Sequence, residues 1–472
     1  MASGSLARIW RTTGATLIVA ALALSFSACN GNGGVLGSAP QPRSYQFLAR
    51  MRTALIPQRH SGKDKIQHVV IIIQENRSFN NLFYGFKGAT TAQYGYDSYG
   101  KKIKLKPIVL ETVWDVQHSS YGFFAACNGT GSIPGTDCQM NGFNLENHGC
   151  GQASYPPCPI KHPQYAYVPH YETAPYFDMA DQYVLGDQMY ASNLDGSFTS
   201  HQYIIAGQSE SAVNSPHGAW GCPGGSSDTV QMITQQRLLR GYEVACWNAT
   251  TLGDELDNKH ISWAYYATPV LGSPPGVWSA YQVIRHIYDG PDWSSDVISP
   301  PSQFLTDVSK GKLRTVSWVT PTAANSDHPG SGSNTGPSWV ASLVNAIGES
   351  SYWKSTAIFV FWDDWGGWYD PEPPAYVDYD GLGIRVPLLV ISPYAKKGYV
   401  SHVHYEHGSI LKFVEDIFAL PRLAASDTRA TSPAKDCFDF NQAPRPFTRI
   451  PAPHDKAYFI HQPRDDRLPD DD

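Results

Sequence analysis

The sequence predicts an α/β fold with a mostly parallel central β-sheet, helices on both faces and long loop insertions stapled by disulfides. Three features carry this reading. Val69–Ile73, Ala357–Trp362 and Val386–Ser392 are apolar runs that do not alternate with polar residues, the pattern of strands buried on both faces. Such runs are separated by helix-period segments or long loops, an order typical of α/β chains. Four of the eight cysteines fall between Val113 and Pro163, in Gly- and Asn-rich sequence with little regular pattern.

From the amino end, Arg8 and Arg11 precede an apolar stretch, Ala15–Phe26, too short for a stable membrane span, and small residues Ser27 and Ala28 precede Cys29. Residues 1–29 therefore read as an export signal. Asn30, Gly31, Asn32, Gly33 and Gly34 after Cys29 also fit a bacterial lipoprotein signal with a lipid anchor at Cys29. Both readings place the protein outside the cytoplasm, as a periplasmic protein, an outer-membrane-anchored lipoprotein touching the membrane surface, or a secreted protein. Residues 30–64 read as a flexible tether, 65–430 as the folded domain and 431–472 as a polar, Pro-rich wrap or tail. In an exported chain the cysteines point to disulfides, with Cys127–Cys138 and Cys150–Cys158 as local pairs and Cys222–Cys437 as a long-range one.

The strand Val69–Ile73 opens the domain, and Gln74, Glu75, Asn76, Arg77 and Ser78 follow at its end, where open α/β sheets collect ligand chemistry. Lys87–Lys106, with its Tyr and Gly content, reads as loop, and Val113–Pro163 as an insertion held by disulfides rather than by a core. A helical pattern over Tyr176–Ala180 leads into a strand at Tyr183–Tyr190. Asn193–Gln202 is then a turn of small residues, with a helix beginning at Gln202–Ile205. Further strands are expected at Tyr242–Trp247, Ser262–Tyr266, Thr315–Thr320, Ala357–Trp362 and Val386–Ser392, and helices at Ser279–Tyr288, Ser338–Ser350 and His407–Ala419.

Charged residues make up 16% of the 472 residues, the net charge is −7, and no basic run could track a phosphate backbone, so nucleic acid is excluded as a partner. The glycine-rich nucleotide loops, the G-x-S-x-G elbow and H-E-x-x-H are all absent. Chemistry-bearing residues stand instead at strand ends. Asp363 and Asp364 follow the strand Ala357–Trp362 and precede Gly366 and Gly367. Adjacent carboxylates repel unless a cation or a shared proton separates them, although an Asx-capped turn reads the same way. Ser197, on the strand-to-helix turn Asp195–His201, offers a hydroxyl where a helix N-terminus can hold phosphate. His118, His328 and His407 are candidates for proton transfer or metal binding, and His402 and His404 read as an exposed edge.

A strand ending in Glu-Asn, another ending in Asp-Asp, a hydroxyl on a strand-to-helix turn and downstream histidines together make the inventory of a phosphate-ester hydrolase. The chain resembles the bacterial phosphoesterase family of phospholipases C and acid phosphatases, in the alkaline-phosphatase-like superfamily. The resemblance lies in HVVIIIQENRSFNNLFYGF at 68–86, DGSFTSHQYIIAGQS at 195–209, SDHPGSGSNTG at 326–336, YWKSTAIFVFWDDWGGWYD at 352–370 and the segment 385–418. It implies an alkaline-phosphatase-like fold and makes 65–430 a phosphoesterase catalytic domain. Ser197 resembles the family's nucleophile, Glu75 with Asn76 its first active-site pair and Asp363 with Asp364 its acidic pair. His328, His407 and His118 resemble the histidines around the phosphoryl group. Glu75, Asn76, Asp363 and Asp364 are the residues that would hold one divalent metal ion, if the enzyme uses one. The chain departs from many relatives in having Asp-Asp for Asp-Glu, and Pro371-Glu372 where a His-Val pair is common. The expected activity is hydrolysis of a small-molecule or phospholipid phosphate ester through a phosphoseryl intermediate, as a phospholipase C-like phosphodiesterase or an acid-phosphatase-like phosphomonoesterase. The alternative, a non-catalytic exported surface or binding protein on the same fold, would require loss of the nucleophile or the acidic pair. Both are present. Trp114, Trp362, Trp365, Trp368 and Tyr369 are either a box for a quaternary ammonium group or core.

Overall fold

The computed structural model describes residues 62–217, 221–268, 278–463, 465 and 467. The export signal, the Cys29 site and the tether as far as residue 61 lie outside the described residues. Gly62–Asp64, expected at the end of the tether, form a 3-10 turn in which Gly62 packs so closely on Ile417 and Phe440 that a Cβ would lie 2.7 Å from the first.

The core is a nine-stranded sheet. Its strands are β1 (His68–Gln74), β2 (Val184–Tyr190), β3 (Trp263–Tyr266), β4 (Val297–Ile298), β5 (Val316–Val319), β6 (Thr356–Trp362), β7 (Arg385–Ile391), β8 (Tyr399–Ser401) and β9 (Tyr405–Glu406). The order across the sheet is β4-β3-β5-β1-β6-β7-β2-β8, and β9 also pairs with β2. All pairings are parallel except those of β7, which runs antiparallel to both β6 and β2. The reversal has a local cause. A parallel return needs a crossover of about a dozen residues or more, usually helical. Residues 363–384 contain no helix and stay at the edge where β6 ends, so the chain re-enters from that edge. Every side chain of β6 and β7 is buried, as unalternating apolar runs require.

The helices that matter for the site are α1 (Ala174–Gln182), α2 (Ser197–Ala206), α3 (Gly336–Gly348) and α4 (His407–Phe418). The helix expected to begin at Gln202 starts one and a half turns earlier, at Ser197, because Gly196 is already extended as its N-cap. The helix expected over Ser279–Tyr288 is instead a 3-10 turn, Ala280–Val283, and a short helix, Arg285–Tyr288, separated by Ile284 in an extended conformation. The strand expected at Tyr242–Trp247 lies at Leu239–Val244 and outside the central sheet, in a separate antiparallel sheet with Ala212–His217 and Thr229–Ile233.

Cys127 pairs with Cys138 and Cys150 with Cys158. The expected Cys222–Cys437 bridge is replaced by Cys222–Cys246, with Cα atoms 4.8 Å apart beside the small sheet. Cys437 is buried against Tyr405 and forms no disulfide among the described residues. The insertion is not held by disulfides alone. Phe123, Ala126, Met140 and Phe143 form a second core with Tyr165, Trp365 and Tyr369, and Ser120–Cys127 is helical. Beyond residue 430, Cys437, Phe438, Ile450 and Phe459 are buried against the main core, so the described part of the tail wraps the domain with apolar anchors.

Within the 363–384 loop, Asp380 is fully buried and accepts hydrogen bonds from the Tyr203 hydroxyl (2.7 Å) and the Ser209 hydroxyl (3.1 Å). Burial first, then the charges of Asp378 and Asp195, push its carboxyl up to about 7. Between the ordinary carboxylate range and pH 7 the folded state therefore holds a proton that the unfolded chain has released. Stability falls as pH rises through that window, and the loss is complete above it. Asp380→Asn should remove this penalty, raising stability at pH 8 by on the order of 4 kcal/mol while leaving it unchanged at pH 4. Thermal unfolding at the two pH values checks this, and equal shifts at both would contradict it.

Candidate active site

The carboxyl edge of the sheet assembles the candidate residues by register. Gln74 of β1 stands opposite Trp362 of β6, so the pairs Glu75-Asn76 and Asp363-Asp364 leave adjacent strands at one level. The Asp363 N–H donates to the Gln74 carbonyl at 3.1 Å, and the Asn76 N–H donates to Asp363 Oδ1 at 3.0 Å. Asn76 is left-handed (φ 58°), a conformation Asn tolerates better than most residues. Its carbonyl lies against Gly366, where a Cβ would stand 1.9 Å from the oxygen, so only glycine fits there. The Gly366 N–H holds Asp364 Oδ1 at 2.7 Å, leaving Oδ2 for the other side.

Four of the expected residues meet directly. Asn76 Nδ2 lies 3.0 Å from Ser197 Oγ, 2.9 Å from Asp364 Oδ2 and 2.8 Å from His118 Nε2. The Ser197 hydroxyl donates to Asp364 Oδ2 at 3.3 Å. His118 Nδ1 lies 2.8 Å from the Val116 carbonyl, which assigns its proton to Nδ1 and leaves the Nε2 lone pair facing the Asn76 amide. Ser197 is the first residue of α2, so its hydroxyl sits in the positive field of the helix N-terminus. Gly196 allows this approach, since a Cβ there would lie 3.3 Å from the His118 carbonyl. A small cleft opens here, lined by His118, Ser119, Asp195, Ser197, Phe198 and Asn214 among others.

The remaining expected residues form two flanking groups. Glu75 and Asp363 turn away from Ser197 toward His201, whose Nε2 lies 3.1 Å from Glu75 Oε1 and 3.9 Å from Asp363 Oδ2. His407, the first residue of α4, is buried beside them. It accepts the Ser192 N–H at 3.4 Å through Nδ1 and donates through Nε2 to the Trp362 carbonyl at 3.3 Å. Burial lowers its pKa to about 4, which makes it a neutral imidazole at physiological pH. On the other side, His328 stands with its ring centroid 5.7 Å from that of His118, and Asp115 lies 3.9 Å from each imidazole. His328 is held within its own loop, its N–H donating to Ser326 Oγ at 3.2 Å and its Nδ1 bonded to the Pro329 carbonyl. Its loop is tied to β1. The Gln74 side chain donates to the Asn325 carbonyl and accepts the Asp327 N–H, and buried Arg77 donates to the Asp327 carbonyl at 2.7 Å.

The aromatics resolve as packing. Trp362, Trp365 and Trp368 are fully buried. The guanidinium of Arg77 already covers Trp368 at 5.0 Å, and Trp365 donates to buried Glu146 and meets the His118 ring edge-on. A buried salt bridge from Arg385 to Asp370 at 2.9 Å and 3.1 Å anchors the far end of the Asp363–Asp370 segment to β7.

The donor set fits one divalent cation. Glu75, His201 and Asp363 offer ligand atoms within 4.8 Å of one another, and among the described residues the buried Asp363 Oδ2 and Asn76 Oδ1 find no hydrogen-bond partner. This regroups the four residues expected to share a metal. Glu75 and Asp363 lie together with a histidine, while the Asn76 amide nitrogen and Asp364 face Ser197. His201 and Asp115 escaped the sequence reading, though each carried a signal. His201 follows Ser197 by four residues and so shares its helix face, and Asp115 precedes His118 by three.

The sequence model of the Phosphoesterase family matches residues 66–421. The chain is 25% identical over 440 residues to phospholipase C B of Mycobacterium tuberculosis, covering 81% of this chain and 79% of that protein. It is 24% identical over 403 residues to non-specific phospholipase C1 of Arabidopsis thaliana, covering 76% and 68%. Among solved structures it is similar to a protein of the alkaline phosphatase superfamily from Vibrio parahaemolyticus, with a TM-score of 0.36, 10% identity and coverage of 78% of this chain and 71% of that one.

Proposed function

Because the chain belongs to the Phosphoesterase family and is a phosphoric ester hydrolase, we propose that it acts as a phospholipase C-like phosphodiesterase with Ser197 as nucleophile. The observation that carries this reading is the contact of Ser197 Oγ with both the Asp364 carboxylate and the Asn76 amide at the start of a helix. Phospholipase C relatives in a bacterium and a plant support the phospholipid diester as substrate class.

The geometry supports the following roles. Asp364 Oδ2 accepts the hydroxyl proton as Ser197 Oγ bonds to phosphorus and the bond from phosphorus to the leaving alcohol breaks. The Asn76 amide and the N-terminal dipole of α2 face the charge that gathers on the phosphoryl oxygens. His328, as the imidazolium beside the Asp115 carboxylate, supplies the proton for the leaving oxygen, while His118 Nε2 holds the Asn76 amide. Water then attacks the phosphorus of this seryl phosphodiester and gives its proton to an imidazole, the headgroup leaves as its phosphate monoester, and the proton held on Asp364 returns to Oγ. A divalent cation held by Glu75, His201 and Asp363 would supply positive charge beside the phosphoryl group. His407, neutral and hydrogen-bonded on both nitrogens, orients the β6 end beneath Asp363. Residues 1–29 would export the enzyme, as a cleaved or Cys29-lipidated protein. Among the described residues no helix is long and apolar enough to cross a membrane.

The test compares p-nitrophenylphosphorylcholine with p-nitrophenyl phosphate and quenches the reaction in acid for peptide mapping. The diester should turn over, with phosphorylcholine trapped on the peptide containing Ser197. Turnover of the monoester alone would make the enzyme an acid-phosphatase-like monoesterase, and phosphorylcholine on another residue would displace Ser197.

A further inference from the structure

The hairpin Tyr94–Tyr96 with Lys102–Lys104 has two unlike faces. Cross-strand pairs Tyr94 with Lys104 and Tyr96 with Lys102 lie on one face, and Gly95 with Ile103 on the other. The Gly95 face sits flush on aromatic rings. A Cβ there would lie 2.7 Å from both Tyr165 and Tyr369, whose hydroxyls donate to the Tyr96 and Tyr94 carbonyls. Tyr369 closes the Asp363–Asp370 segment, so the hairpin is attached to the element that carries the acidic pair.

The outer face is solvent-exposed and basic. Lys102 and Lys104 stand on it, and with exposed Lys101, Lys106 and Lys161 they line one concavity beside the hairpin, to which Ile103 of the inner face, Ile160 and His162 also contribute. They come from the hairpin and from a separate loop, yet converge in a chain of net charge −7. Among the described residues none of the five pairs with a carboxylate. Asp97, next to Tyr96, is buried and its Oδ1 accepts the N–H groups of Tyr99 and Lys101. Around these charges Tyr94, Tyr96 and Tyr99 are 40%, 51% and 88% exposed, and Lys102 lies over the Tyr94 ring at 4.1 Å. Lysines alone would suit an edge strand that must avoid pairing with other sheets. That role gives no reason for three exposed tyrosines among them. Lysine charge with amphipathic tyrosine is the combination that suits the headgroup layer of an anionic bilayer.

We infer that this Lys–Tyr face docks the enzyme on anionic phospholipid membranes. It names the surface on which the proposed phospholipase C reading would find its substrate and rests on that reading, while its test reads binding alone. Each lysine held near an anionic surface strengthens binding about fivefold. The triple variant Lys102→Glu, Lys104→Glu, Lys106→Glu should therefore bind at least about a hundredfold more weakly.

The experiment is co-sedimentation of the full chain with vesicles of phosphatidylcholine alone or with phosphatidylglycerol added. The native protein should sediment with the anionic vesicles at low salt and be released at high salt. The triple variant should stay in solution, and the control Lys310→Glu, Lys312→Glu, Lys435→Glu should bind like the native protein. Binding by the triple variant equal to native, or native binding as strong to pure phosphatidylcholine, would overturn the inference. So would displacement by inorganic phosphate at matched ionic strength, which would indicate a site for free phosphate instead of a bilayer. Turnover of the soluble choline diester separates this from the functional proposal. The triple variant should retain it, and anionic-vesicle binding by a protein that hydrolyses no ester would leave the docking face standing while the proposed reaction fails.

Discussion

Ser197→Ala should lower kcat on the soluble choline diester by about a thousandfold or more, with little change in folding. The hydroxyl oxygen is the atom that would bond phosphorus, so its loss removes the covalent route and leaves only whatever rate the surrounding dipoles give to direct attack by water. Structural cost should be small. The N-cap of α2 is Gly196, and the helix makes no capping bond through the Ser197 side chain. The lost contacts are those at 3.0 Å to Asn76 and 3.3 Å to Asp364, and the Asn76 amide keeps both Asp364 and His118. Steady-state kinetics beside a thermal melt decides the matter. An unfolded variant would leave the loss uninterpretable as chemistry, and Ser197→Cys, which keeps a nucleophilic atom in place, then carries the test. An active, folded Ser197→Ala protein would remove the nucleophile assignment.

Asp363→Asn should cost about a hundredfold to a thousandfold in kcat while preserving the fold. The amide oxygen can still accept the Asn76 N–H now held at 3.0 Å, so the left-handed turn at Asn76 keeps its anchor. What disappears is one of two carboxylate charges facing His201, and with it the charge that would hold a divalent cation against Glu75. Two readouts separate a cation-holding role from a merely structural one. Calorimetric titration with a divalent metal should show affinity weakened about tenfold or more, and the activity of the variant should respond less to a chelator than the native activity does. Native-like metal affinity in Asp363→Asn would move the cation elsewhere, and a fall in melting temperature that tracks the lost activity would make Asp363 a scaffold residue.

Local sequence by itself determined the strands and the chemical groups at their ends. Val69–Ile73 and Ala357–Trp362 read as buried strands because burial on both faces leaves no polar alternation, and the Glu-Asn and Asp-Asp pairs follow them directly. Ser197 was visible because small residues on a strand-to-helix turn expose a hydroxyl. The family resemblance was legible in the same segments. Tertiary structure alone decided how these groups divide. Register across β1 and β6 sets Asn76 and Asp364 toward Ser197 and Glu75 and Asp363 toward His201, a split that spacing along the chain does not contain. The direction of β7 depends on whether 22 residues, 363–384, fold as a crossover or stay at one edge, which side-chain contacts such as Arg385 with Asp370 and Asp380 with Tyr203 settle. Cys222 found Cys246 because the small sheet brings their Cα atoms within 4.8 Å, while Cys437 is packed beside Tyr405. The tryptophans around the acidic pair became core and not a box because Arg77 and Glu146, distant in sequence, occupy their polar faces. Periodicity reports which side chains must be buried, and only the packed neighbours decide against what.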